Sequence, residues 1–424
     1  MKIEVTDPTE IHLLLLEKYQ KSSANIVIRA VIDQCFDAHI YAQALNALIT
    51  SHPYLCARYT SEINSGEHRY YYEEVCTDDA IVNIVQLDNK QINSHMNTLS
   101  SQRNFLFKHD AGVLYHLNVF TGDTNSMLEL TCPHIIGEIP SILILMGELL
   151  ANIDQIVCTG TSNSPVHKKY NFNENDFAWD KFVYENLDFE SCDLNTINTD
   201  PWVLPDATLE RHKLDALYFK KIKNWLSINN INATTSDLFY NIAHHVLTDM
   251  LGGCPDMWLI LSYRSKAVEE KTKSSIYNFA FFAPVNTSIF NDESQQQWLE
   301  SICTYRQNLI TQEGVYASRN FFYSLNKAME GKDLSDGKNI MNSLVKFPDF
   351  AFNNFGQIDP YVGKHKRFNI IDFDVQDGTP AQEIRYFSLG DTLYINPTFF
   401  NASKLDITTF WAMFEKKLME LINV

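Results

Sequence analysis

Between residues 157 and 206, turn formers and acidic residues interrupt every hydrophobic period, and on both sides of that stretch strand-like and helix-like runs alternate in the same way. A chain patterned like this is constrained to an α/β fold, because each amphipathic helix must bury its apolar stripe against a sheet. The 424 residues suffice for two such cores. The expected organisation is a first lobe over 1–156, a crossover over 157–206 and a second lobe over 207–424.

In the first half, "TEIHLLLLEKYQ" suits a helix and "NIVIRAVID" alternates as a strand does. Ile40, Ala44, Leu45 and Leu48 then recur at helical spacing, and Pro53 closes that pattern. "YLCARYTSE" and "HRYYYEEV" read as strands around a turn at Ser65 and Gly66, followed by a helical patch near "NKQINSHMNTLSSQR". "GVLYHLNVFTG" and "SMLELTCP" make a hairpin through "TGDTN" and deliver the chain to "PHIIGEIPS". Pro140 suits the first turn of a helix running through "SILILMGELLANI", which makes the quoted stretch a strand-to-helix loop. In the second half the spacing predicts a strand at "RHKLDALYFK", a helix at "TTSDLFYNIAHHVLTDML", strands at "DMWLILSYRS" and "FAFFAPVNTSIF", and a helix at "SQQQWLESICTYRQNLITQ".

Several function classes lose support at once. A formal net charge of −18 opposes nucleic-acid phosphates. Neither G-x-G-x-x-G nor G-x-x-x-x-G-K-[ST] occurs, and H-E-x-x-H and G-x-S-x-G are absent too. The eight cysteines stand singly with no C-x-x-C pair and are read as reduced thiols. His244 and His245 have no third ligand in view, so no metal centre is expected. Uninterrupted apolar runs such as Ile142 to Met146 fall short of a bilayer, and the first residues lack a secretory pattern. The expectation is a cytoplasmic chain with no membrane span.

Within the loop, His134 precedes Glu138 by four positions. An imidazole on a loop leaving a rigid strand can take a proton from an alcohol or amine attacking a carbonyl. No serine or cysteine nucleophile is signalled by a local pattern, so direct transfer from donor to acceptor fits better than a covalent intermediate. In "GKHKRFN", Lys364, Lys366 and Arg367 read either as contacts for a donor's phosphates or as a solvated loop.

"LTCPHIIGEIPSILILMGEL" resembles the H-H-x-x-x-D-G region of nonribosomal peptide synthetase condensation domains, polyketide-associated acyltransferases and related CoA-dependent acyltransferases. His134 aligns with the second histidine of that motif. Further likenesses follow in order: "ALNALITSHPYLCARY", "TSDLFYNIAHHVLTDMLG", "NFAFFAPVNTSIF", "FNNFGQID" and the closing "DTLYINPTFFNASKLDITTFWAMFEKKLMELI". The resemblance implies two chloramphenicol-acetyltransferase-like lobes in a V with a tunnel between them and His134 near its middle. It assigns His134 as general base and Glu138 as a loop-holding acid paired with Arg264, Arg58 being a second candidate arginine. Ile139, Asn286, Asn354 and Gly356 would line the tunnel, although "NNFG" also reads as a simple turn and Asn286 as a structural amide. The implied donor is an acyl-CoA or phosphopantetheine thioester, with no bound cofactor, and the acceptor is a small alcohol or amine. An acyl carrier protein is a further partner consistent with it.

Three positions depart from the motif. Pro133 replaces the first histidine, Glu138 the aspartate and Ile139 the glycine, where a branched side chain resists a positive φ. The leading expectation is a stand-alone acyltransferase, and the alternative is a catalytically impaired binding module of the same fold. An epimerase-like relative rests on the "NNFGQ" likeness alone.

Overall fold

A computed structural model describes residues 2–64, 67–75, 81–162, 165–167, 204–262, 280–283, 285, 295–310, 312–344, 348–378, 380–403 and 405–422. The first half contains β1 (Lys2–Val5), α1 (Pro8–Gln20), β2 (Ile26–Ile32), α2 (Ala38–Ser51), β3 (Ala57–Asn64), β4 (Glu67–Glu74), β5 (Val82–Gln86), α3 (Asn89–Met96), β6 (His116–Thr121), β7 (Ser126–Cys132) and α4 (Ile139–Thr159). The second contains β8 (Ala207–Leu209), β9 (His212–Leu214), α5 (Ala216–Ile228), α6 (Thr235–Leu251), β10 (Met257–Ser262), β11 (Ala280–Ala283), α7 (Gln295–Leu309), α8 (Gln312–Met329), α9 (Leu334–Leu344), β12 (Phe350–Gln357), α10 (Asp359–Val362), β13 (Ile370–Asp377), β14 (Gln382–Leu389), β15 (Thr392–Phe400) and α11 (Ile407–Ile422).

Local chemistry sets many of these boundaries. Asp7 caps α1 by accepting from the Thr9 N–H at 2.7 Å, with Pro8 in the first turn. Thr234 and Asp237 form a reciprocal capping box at the start of α6, and Gly252, at φ 69, ends it. The strand expected over "RHKLDALYFK" is corrected by a third cap. Asp215 accepts from the Leu217 and Tyr218 N–H groups, so the strand stops at Leu214 and α5 begins at Ala216.

Two larger sheets hold the lobes. The first lobe's sheet has the order β13-β2-β7-β6-β5, and the second lobe's runs β11-β10-β12-β14-β15-β8, with β9 also pairing β15. A small sheet, β1-β4-β3, flanks the first lobe. All seven residues of β2 and of β7 are buried, as expected of central strands covered on both faces.

Sequence order and spatial lobe do not coincide throughout. Strand β13 pairs antiparallel with β2, Phe373 opposite Ala30 and Val375 opposite Ile28, so the second half donates an edge strand to the first lobe's sheet. Helices α8 and α9 also pack on α1, where fully buried Arg319 donates to Thr9 Oγ1 and lies 3.4 Å from Asp7. Of the crossover, residues 163–164 and 168–203 lie outside the described residues.

Helix α4 revises the membrane expectation. Its 21 residues are long and apolar enough to cross a bilayer by length and composition. Its apolar length instead matches its place in the first core, where Ile142, Leu143, Leu145, Met146, Leu149, Leu150 and Ile153 are fully buried. Gly147 permits the tightest approach: a Cβ there would lie 1.9 Å from the Tyr361 carbonyl oxygen of α10. Among the described residues, the cysteines at 35, 56, 132, 158, 254 and 303 are not joined in disulfides.

Candidate active site between the lobes

Strand β7 ends at Cys132, and the chain makes a turn over 134–136 before α4 starts. The turn rests on the segment that follows α1. The His134 N–H donates to Ser23 O at 3.2 Å, and Ser23 Oγ accepts from the Phe107 N–H at 2.9 Å. Asn25 Nδ2 donates to the carbonyls of Gln102 and Phe105, which fixes that support from the other side. His134 itself is partly exposed, whereas Pro133, Ile135, Ile136 and Gly137 around it are buried. His134 thus sits on a braced loop with part of its side chain at the surface.

Glu138 is the N-cap residue of α4 and is 1% exposed. Its side chain does not cap the helix. Oε1 instead accepts from Ser262 Oγ at 3.1 Å, at the end of β10 in the second lobe. The expected arginine partner, Arg264, lies outside the described residues, two positions beyond Ser262, as does Asn286. Arg58, the other arginine considered, is exposed on β3 of the small sheet.

Ile139 takes the first helical position and is 5% exposed within the apolar cluster of the first lobe. It is not among the residues with positive φ, so the backbone strain expected of a branched residue here does not arise. Asn354 and Gly356 sit in β12. The register between β12 and β14 shifts between them, Gly356 adopts φ 67, and its N–H donates to Asn354 Oδ1 at 2.8 Å. "NNFG" is therefore a bulge whose asparagine closes its own turn and is otherwise exposed. Strands β10 and β12 run parallel with Ile260 opposite Asn353, which brings Ser262 to the level of this bulge.

Lys364 and Lys366 line a groove of about 790 Å³ along α4, bounded by Ile144, Gly147, Glu148, Tyr361 and Val362 among others. Asp154 of α4 holds the loop by accepting from the Lys366 N–H at 3.1 Å and the Arg367 N–H at 2.8 Å. All three basic residues are exposed, and Arg367 Nε donates to Cys158 Sγ at 3.2 Å. Helix rise separates Asp154 from Ile139 by about 22 Å.

Cys132, two residues before His134, is fully buried, and burial pushes its thiol pKa up, away from the thiolate a nucleophile needs. His244 lies 3.5 Å from Cys254 Sγ, and burial lowers the pKa of this imidazole to about 4. Sequence reasoning missed Ser262, because a serine at a strand end has no signal of its own. It missed the contact of His52, Glu148 and His167 as well, since 96 residues separate the first two and no spacing rule links them.

No family model matches the sequence, and no curated protein matches it. Solved structures do match over nearly the whole chain. The epimerization domain from the third module of tyrocidine synthetase B is 14% identical with a TM-score of 0.64, covering 100% of this chain and 98% of that one. Polyketide synthase associated protein 5 from Mycobacterium tuberculosis is 11% identical with a TM-score of 0.61, covering 100% and 98%. Trichothecene 15-O-acetyltransferase from Fusarium sporotrichioides is 12% identical with a TM-score of 0.64, covering 99% and 95%. The chain therefore has the two-lobed, chloramphenicol-acetyltransferase-like fold of condensation domains.

Proposed function

We propose that the protein is a condensation-type acyltransferase that moves an acyl group from a CoA or carrier-protein thioester to a hydroxyl or amine, with His134 as general base. The observation that carries this reading is the partly exposed His134 on a loop whose next acidic residue, Glu138, contacts Ser262 of the other lobe. The acceptor O–H or N–H gives its proton to the imidazole as its lone pair attacks the thioester carbonyl. The C–S bond then breaks, and the departing thiolate takes that proton from the imidazolium. Glu138 is a positioning residue in this scheme, with Ser262 and Arg264 as its second-lobe partners. Asn286, Asn354 and Gly356 belong to the substrate passage, and Lys364, Lys366 and Arg367 receive the donor's phosphates. No bound cofactor is needed, because the thioester carries the activated acyl group.

The test is a transfer screen with a panel of acyl-CoAs and acyl-pantetheines against alcohols and amines, read by intact mass and thiol release. His134→Ala should lower transfer by on the order of 10²-fold while leaving the melting temperature nearly unchanged. A second reading, a binding module of the same fold, is favoured by the motif's glycine position being occupied by buried Ile139. Thioester binding without transfer to any acceptor would select that module.

A further inference from the structure

Packing of α2 against α4 brings together three side chains that the acyl-transfer reading does not use. His52 closes α2, Glu148 lies midway along α4, and His167 follows that helix. One ligand atom from each falls within 4.8 Å of the other two. His52 Nε2 is 2.5 Å from Glu148 Oε2, and His167 Nε2 is 3.9 Å from Glu148 Oε1, so each carboxylate oxygen faces one imidazole. The two rings stack nearly parallel, 9° apart in plane with centroids 4.8 Å apart.

We propose that His52 Nε2, Glu148 and His167 Nε2 bind one divalent transition-metal ion of the zinc class, with a fourth position open to water. Two imidazole nitrogens and one carboxylate suit zinc, cobalt or nickel, whereas calcium and magnesium favour shells of oxygen ligands. The support around His52 fits a ligand. Its other nitrogen, Nδ1, is hydrogen-bonded to the Tyr54 hydroxyl at 2.5 Å. That hydrogen bond orients the ring so that Nε2 faces the carboxylate, the edge a metal takes once the Nε2–Oε2 contact opens.

Burial is graded across the cluster in the way a three-ligand site requires. The side chain of His52 is 1% exposed, that of Glu148 29% and that of His167 45%. The inner ligand is fixed, while the outer one can rotate inward and leave solvent access for a fourth ligand. Tetrahedral zinc places its ligand atoms about 3.4 Å apart, given bonds of about 2.1 Å. Glu148, 29% exposed, meets that spacing by turning its Oε2 outward from 2.5 Å to His52 Nε2, and His167 by closing in from 3.9 Å to Oε1. The main chain is already anchored, because the His167 N–H donates to Ser51 O at 2.6 Å. Ten residues of helix separate Glu148 from Glu138, about 15 Å along α4, so this site is distinct from the one at His134. Bound metal would clip residue 167, where the chain leaves the first lobe, to the end of α2.

Full-length protein stripped with a chelator should take up one equivalent of Zn²⁺ by isothermal titration calorimetry, and its melting temperature should rise with zinc concentration. His167→Ala and Glu148→Gln should each weaken that uptake at least about tenfold, and Tyr54→Phe about tenfold or more. His167 is largely at the surface, so circular dichroism should show an intact fold in His167→Ala. Cobalt substitution should give visible absorption of a nitrogen and oxygen ligand set without thiolate charge transfer, and Cys254→Ser should leave uptake unchanged. The proposal is overturned if no zinc binds, if uptake survives both His167→Ala and Glu148→Gln, or if the cobalt spectrum reports thiolate ligands.

Discussion

Glu138 shows how much one side chain can decide. A carboxylate one methylene longer than the motif's aspartate reaches across to Ser262 Oγ, so the loop bearing His134 is tied to the second lobe rather than to its own helix. Glu138→Gln and Ser262→Ala should each lower the melting temperature, and the double variant should lose less than the sum. A coupling energy of about 0.5–3 kcal/mol in that cycle is expected, and additive losses would reject the contact. Ile139 carries a different consequence. The side chain is buried in the apolar core of the first lobe. Ile139→Ala should therefore destabilise by about 2–5 kcal/mol in denaturant titrations, whatever its effect on turnover.

Among elements, α4 links the candidate site, the basic groove and the proposed metal cluster. Its start positions the His134 loop, its middle supplies Glu148, and Asp154 near its end holds the loop bearing Lys366. The helix sits correctly only because Gly147 lets the Tyr361 carbonyl come close. Gly147→Ala puts a methyl group into backbone that cannot yield locally, and a loss of about 1–3 kcal/mol in stability is expected from overpacking. Helix propensity alone would favour alanine there by about 1 kcal/mol, so the sign of the change separates packing from propensity. An increase in melting temperature would mean that α4 and α10 are not in contact as described.

For the whole molecule, buried charge joins the halves of the chain. Glu383 of β14 is fully buried beside Arg385, Arg103 and Asp377, and burial with the Asp377 charge raises its carboxyl from an ordinary 4.5 to about 8 against the pull of the two arginines. Arg103 comes from the first half and donates to Asp377 O at 2.8 Å. Because the folded-state value is the higher one, the native state holds an extra proton between those values. The stabilising contribution is complete below about pH 4.5 and is lost as pH rises through about 8. Calorimetry between about pH 5 and about pH 9 should show a fall in melting temperature that Glu383→Gln flattens, and an unchanged slope would remove Glu383 as its source.

What the sequence determined by itself was local or ordered along the chain. Apolar periods, with Pro53 and Pro140 marking boundaries, located α1, α2, α4 and α6 and the strands β2 and β7, because helices and strands are specified by neighbours within a few residues. The loop bearing His134 was legible for the same reason. Asp215 misled only where a cap outweighed an apparent alternation. Tertiary structure alone decided which remote residues meet. Strand β13 enters the first lobe's sheet across some 340 residues from β2, Ser262 reaches Glu138 from 124 residues away, and His52 faces Glu148 across the α2–α4 packing. Those contacts are made by burial and hydrogen bonding between surfaces that each look ordinary on their own, so no periodicity in the chain announces them.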